Sequence, residues 1–141
     1  MKLFLDTSSL FKLYHKESDS DIIRQIFTDN KVFASLSEIS KLEFCSTVWK
    51  KVRTHEFTDV EAKTVTSLFE TDFGKYSFTA VDNVIIEKAR GLIEKYGKEG
   101  LRTLDSIQLA TAISLKHDCE LFITTDKLLN NLFRHEALPV L

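Results

Sequence analysis

Lys2-Leu3-Phe4-Leu5-Asp6-Thr7-Ser8-Ser9 decides the fold. A short apolar run that ends on an acid and passes into hydroxyl residues reads as a buried strand giving way to a helix. Runs of the same kind recur at Val32–Ser35, Tyr76–Val81 and Glu120–Thr124, with a last one at Leu138–Leu141 behind Pro139. Helical patterns fill the intervals: Ser8–Tyr14, Asp19–Asn30, a helix capped by Ser37 and running to about Arg53, Thr58–Phe73, a helix from Asp82 to Tyr96, one from Thr103 to about His117, and Asp126–His135. In the Ser37 helix, Leu42, Cys45, Trp49 and Val52 form one apolar stripe. Gly97 and Gly100 bracket a loop. Strands separated by helices imply an α/β fold with a parallel sheet covered on both faces. No repeat or break in composition interrupts the chain, so residues 1–141 are expected to form a single domain.

In such sheets ligands bind beyond the carboxyl ends of the strands, near the reversal of strand order. Asp6 and Asp126 both fall at or just past a strand end. Each also suits a helix N-cap, although Thr7, Ser8 and Ser9 offer other caps beside Asp6. Asp105 begins a helix that is apolar almost all round and shares a stripe with Gln108, Leu109 and Ala112. An acid so placed either complements the helix dipole or belongs to a site. Glu43 lies one turn after Ile39, at the flank of an apolar stripe, where most glutamates face solvent.

Taken together, these acids can converge on one edge of the sheet. Two like charges 4 Å apart repel by about 4 kcal/mol at an effective dielectric of 20. A cluster of Asp6, Glu43, Asp105 and Asp126 therefore calls for a cation, and an all-oxygen ligand set suits Mg²⁺ or Mn²⁺ rather than zinc. A site of that kind points to phosphate chemistry.

Composition narrows the alternatives. Apolar residues make up 43% and charged residues 28% of the 141, with eleven Phe for a core. No apolar run approaches the ~20 residues of a membrane span, and the N-terminus turns acidic at Asp6, too early for a signal peptide, so a cytoplasmic location is expected. Cys45 and Cys119 make no Cys-x-x-Cys pair, and Cys45 reads as a core thiol. His15, His55, His117 and His135 lack metal-ligand spacing. A net charge of −2 does not suit a protein that coats nucleic acid by charge alone. No Gly-x-x-x-x-Gly-Lys loop occurs. Ser8 stands where a haloacid-dehalogenase-type phosphatase needs a second Asp, and Asp6 lacks the acidic neighbour of a receiver domain.

Phe4-Leu5-Asp6-Thr7-Ser8-Ser9-Leu10-Phe11-Lys12-Leu13-Tyr14 resembles the opening of PIN-domain ribonucleases, specifically the VapC-type toxins of toxin–antitoxin pairs. Leu101–Ala112 resembles their central motif, Leu121–Leu129 their last acidic motif, and Ser37–Glu43 the segment that carries their glutamate. The likeness spans essentially the whole chain in the right order. It implies a three-layer α/β/α sandwich with a five-stranded, mainly parallel sheet. It implies a metal-dependent endoribonuclease, usually a homodimer, held in check by a cognate antitoxin whose tail lies along the active groove. Asp6, Glu43, Asp105 and Asp126 then take the family's acidic positions, with Thr7, Thr124 or Thr125 orienting a ligand or water. Gln108 stands where many relatives carry His, and Ser106 where Ala is common. Lys12, Lys41, Lys50, Lys51, Arg53, Arg102 and Lys127 are candidate RNA contacts or simply solvated charges. The alternative reading is a PIN fold kept as an interaction module, or a nuclease acting on another nucleic acid without a toxin role.

Overall fold

The computed structural model describes residues 1–17 and 20–141. Asp19, the expected start of the second helix, lies outside the described residues. Strand β1 (Lys2–Leu5) leads into helix α1 (Thr7–Phe11), then α2 (Ser20–Asp29), β2 (Phe33–Ser37), α3 (Ile39–Arg53), α4 (Asp59–Thr71), β3 (Tyr76–Thr79), α5 (Asn83–Tyr96), α6 (Thr103–Ser114), β4 (Leu121–Ile123) and α7 (Lys127–His135).

The strands pair in parallel in the order β3-β2-β1-β4. Period-two alternation sorts their side chains onto two faces. Leu3 and Leu5 of β1, Ala34 and Leu36 of β2 and Ile123 of β4 pack with Phe11, Ile23, Phe44, Val48 and Phe69 from α1 to α4. Phe4 and Phe122, paired in register, point the other way into Ala89, Leu92, Leu109, Leu132 and Phe133 from α5 to α7. The sheet is thus the middle layer of a three-layer sandwich.

Two sequence expectations change. The sheet has four strands among the described residues, not five. Leu138–Leu141 runs beside β4, and Phe122 N–H donates to the Pro139 carbonyl at 2.8 Å. This single bond makes no ladder among the described residues, so the tail does not count as a fifth strand. Leu138 instead fills the core at 3% exposure.

The second change concerns α3. Its buried residues are Ser40, Phe44 and Val48, whereas Leu42 is 68% and Trp49 39% exposed. Cys45, expected in the core, is only half-buried, and Cys119 is the buried thiol. An i, i+4, i+8 stripe competed with the i, i+3, i+7, i+10 stripe, and packing chose the former. Phe44 sits 4.4 Å from Phe69 and 5.3 Å from Phe11, ring centre to ring centre.

Candidate active site

β1 and β2 follow one another outward, and β4 then returns to the opposite side of β1. The strand order therefore reverses between β1 and β4, which opens a crevice at their carboxyl ends. Asp6 leaves β1 there, with its N–H on the Ile123 carbonyl at 3.2 Å. Thr124, Thr125 and Asp126 leave β4 at the same edge.

Asp6 is 4% exposed and caps α1, accepting from Ser9 N–H at 3.0 Å. Ser8 Oγ lies 2.8 Å from both carboxylate oxygens, and Thr124 Oγ1 donates to Oδ2 at 2.6 Å. Thr124 Oγ1 in turn accepts Asp126 N–H at 3.1 Å. Thr125 Oγ1 contacts Ser8 Oγ at 3.0 Å. The ends of β1 and β4 are thus tied by hydroxyl groups centred on one carboxylate. Burial raises the Asp6 pKa above the usual carboxylate range against the opposing pull of these hydrogen bonds.

Glu43 comes to the same place from α3. Its Oε1 accepts from Thr7 Oγ1 at 2.8 Å and from Gln108 Nε2 at 2.7 Å. Burial pushes its pKa up; the Gln108 and Thr7 bonds pull it back, and the nearby Asp6 and Asp105 charges push it up again. Asp105, in the first turn of α6, is half-buried. Burial raises its pKa, as do the Asp126 and Asp6 charges, while Arg102 opposes them. Asp126 is exposed and caps α7 through Leu129 N–H at 2.7 Å. Both strand-end acids are therefore helix caps that also line the cavity, and the two placements do not compete.

All four acids line one cavity of about 260 Å³ together with Thr7 and Gln108. Among the described residues, no three His, Cys, Asp or Glu side chains stand close enough to complete a metal-ligand set on their own. The acids form a wall, not a point. Their oxygen-only chemistry fits a hard cation that keeps several of its waters, as Mg²⁺ commonly does. Burial is the main cause of the raised proton affinity of Glu43 and Asp105, neighbouring carboxylate charge adds to it, and a bound cation would relieve that added repulsion. Within this limit the residues fit a divalent ion.

Four polar lining or supporting residues were not singled out as site residues from sequence: Ser8, Ser40, Ser46 and Thr47. Ser40, Ser46 and Thr47 sit at i−3, i+3 and i+4 from Glu43, so the face of α3 that carries Glu43 had a readable polar signature. Of the candidate cationic contacts, Arg102 borders the acids, in a cleft of about 330 Å³ shared with Glu43 and Asp105. Lys12 is buried and pairs with Glu17 at 3.6 Å. Lys41 pairs with Glu38 at 2.6 Å and lies over the Phe78 ring, and Lys51 pairs with Glu56 at 3.7 Å.

Solved structures share this architecture. A toxin–antitoxin complex from Klebsiella pneumoniae is similar at TM-score 0.60 and 19% identity, covering 88% of this chain and 86% of that one. VapC20 of Mycobacterium tuberculosis, described as a toxin that cleaves the sarcin–ricin loop, is similar at TM-score 0.70 and 12% identity, covering 92% and 94%. VapBC2 of Rickettsia felis, bound to a DNA fragment from its promoter, is similar at TM-score 0.67 and 15% identity, covering 100% and 98%. At these identities the likeness speaks for the fold. No curated protein matches the chain. The sequence pattern of the PIN domain matches residues 3–132, nearly the full length, and with the sheet order and the acidic cavity now described, the chain belongs to the PIN domain family.

Proposed function

We propose that this chain is an endoribonuclease dependent on Mg²⁺ or Mn²⁺ and that it acts as the toxin of a toxin–antitoxin pair. One observation carries the reading: Asp6, Glu43, Asp105 and Asp126, from four separate segments, line a single cavity at the carboxyl edge of the sheet. The similarity to solved toxins supports the same reading.

Asp6 and Asp105 would hold the cation, Glu43 would reach it directly or through water, and Asp126 would bind a second ion or an outer water. When bound, such an ion polarises a phosphoryl oxygen and lowers the pKa of its water. The protein's own groups do the remaining work. Ser8, Ser9 and Thr124 hold the Asp6 carboxylate still. Thr7 and Gln108 fix Oε1 of Glu43, so that Oε2 is the atom available to take a proton from attacking water. Arg102 borders the acids where an RNA phosphate would enter. A homodimer in the cytoplasm, neutralised by a cognate antitoxin, belongs to the same proposal.

The test is cleavage of an RNA panel by the purified protein with Mg²⁺ or Mn²⁺, beside Asp105→Asn and beside EDTA. Cutting is expected only for the wild type with metal. Equal cutting by Asp105→Asn would remove the assignment, preference for DNA would point to another nuclease role, and absence of both cutting and Mn²⁺ binding would favour an interaction module. Growth arrest on expression, relieved by the product of a small neighbouring reading frame, tests the toxin role.

A further inference from the structure

We propose that Gln108 is a positioning residue: with Thr7 and Ser40 it forms a buried polar clamp that holds the Glu43 carboxylate with Oε2 toward the cavity. The inference rests on the nuclease reading for its consequence but on geometry for its existence. Gln108 is 2% exposed, Thr7 7% and Ser40 0%. They come from α6, α1 and α3 and meet within one hydrogen-bonding group. Gln108 Nε2 reaches Glu43 Oε1 at 2.7 Å, Thr7 Oγ1 at 3.1 Å and Ser40 Oγ at 3.1 Å. Thr7 Oγ1 lies 2.8 Å from Glu43 Oε1 and 3.0 Å from Ser40 Oγ.

Counting protons fixes the direction of the network. An amide nitrogen has two hydrogens and each hydroxyl has one. One Gln108 hydrogen goes to Glu43, and the other is shared toward the hydroxyls. The one Thr7 hydrogen goes to Glu43, the shorter of its two contacts, and Ser40 Oγ lies 3.0 Å from Thr7 Oγ1. Donors thus converge on Oε1, while Oε2 makes no hydrogen bond among the described residues. Exchanging the amide nitrogen and oxygen would set acceptor against acceptor at Glu43, so the orientation of Gln108 follows from chemistry.

The opposite end of the amide strengthens the inference. Gln108 Oε1 is buried and has no partner among the described residues. A buried, unpaired acceptor costs stability. A residue kept for the fold alone would do better as an apolar side chain of the same length. The donor end is what the site uses.

The test compares wild type with Gln108→Met and Gln108→His. Methionine keeps the length and removes the donor; a neutral imidazole restores an N–H. Gln108→Met is expected to keep the wild-type melting temperature within a few degrees, to lower kcat about 10–100-fold with KM for RNA little changed, and to weaken Mn²⁺ binding in calorimetry by a similar factor. Gln108→His is expected to recover most of both losses. Wild-type kcat and Mn²⁺ affinity in Gln108→Met would overturn the clamp, and so would a folded Gln108→His that recovers neither. If the wild type itself neither binds Mn²⁺ nor cuts RNA, the nuclease reading fails separately. The crystal structure of Gln108→Met then decides: a displaced Glu43 carboxylate supports the clamp, and an unmoved one overturns it.

Discussion

Asp6 performs two jobs with opposite demands. As a cap it accepts Ser9 N–H; at the cavity wall it stays buried, which raises its pKa. A carboxyl whose folded pKa lies above its unfolded value binds protons more tightly in the native state. Its contribution to stability is complete below the unfolded value of 3.8 and is lost as pH rises through the raised folded value. Asparagine caps equally well and carries no charge. Asp6→Asn should therefore melt at a higher temperature than the wild type in metal-free buffer at neutral pH, with the gap closing as pH falls through the raised folded value toward 3.8. RNA cleavage by the variant should drop to background. Thermal melts across pH in EDTA check the first expectation, and a gap that widens toward acid would contradict the sign. The sequence pointed to Asp6 because its strand-end position and its hydroxyl neighbours are local features. Ser40 shares the polar face of Glu43, which is a local feature, but its bond to Gln108, 68 residues away, is one that no local pattern reports.

At the scale of elements, α3 has the most to arrange. It must bury Phe44 and Val48 against one core and aim Glu43 at the cavity from the neighbouring position. The sequence pattern points to the Leu42 stripe, and what buries Phe44 and Val48 instead is the set of aromatic partners on α1 and α4, which the helix pattern alone does not report. Mutation separates the two. Phe44→Ala should cost about 3–5 kcal/mol, whereas Leu42→Ser should change stability by no more than about 0.5 kcal/mol. Urea denaturation of both variants measures this, and a large loss at Leu42 would restore the original stripe. The entry to α6 depends on Gly100, whose φ of 108° is one that other residues avoid. A Cβ there would meet Leu128 Cδ2 at 3.5 Å, an ordinary contact, so the cost of Gly100→Ala is backbone strain of about 1–2 kcal/mol. The glycine pair marked this loop in the sequence. The last apolar run misled because a buried tail and a short strand share the same composition, and they differ only in a hydrogen-bond ladder that composition does not report.

For the whole molecule, the layered sandwich was legible because alternating strand and helix patterns leave few other topologies. The cavity was not, because its shape depends on how α1, α3 and α6 meet above the sheet edge. On the proposed reading, that meeting would link ion binding to folding. An ion that binds only the native state stabilises it by about 2.7 kcal/mol at a free concentration 100 times its Kd. The unfolded chain scatters Asp6, Glu43, Asp105 and Asp126 and has no comparable site. Mn²⁺ should therefore raise the melting temperature at neutral pH by several degrees, on the order of 2–4 °C per kcal/mol for a chain approaching 150 residues. EDTA should reverse the shift. Because protons compete for the same carboxylates, whose affinities for them are raised at Asp6, Glu43 and Asp105, the shift should shrink as pH falls through those raised values. Asp105→Asn should lose most of it at every pH. Differential scanning calorimetry with and without Mn²⁺ at two pH values measures all of these effects. An identical Mn²⁺ shift in the wild type and in Asp105→Asn would show that the ion binds elsewhere and that the acidic wall is not its site.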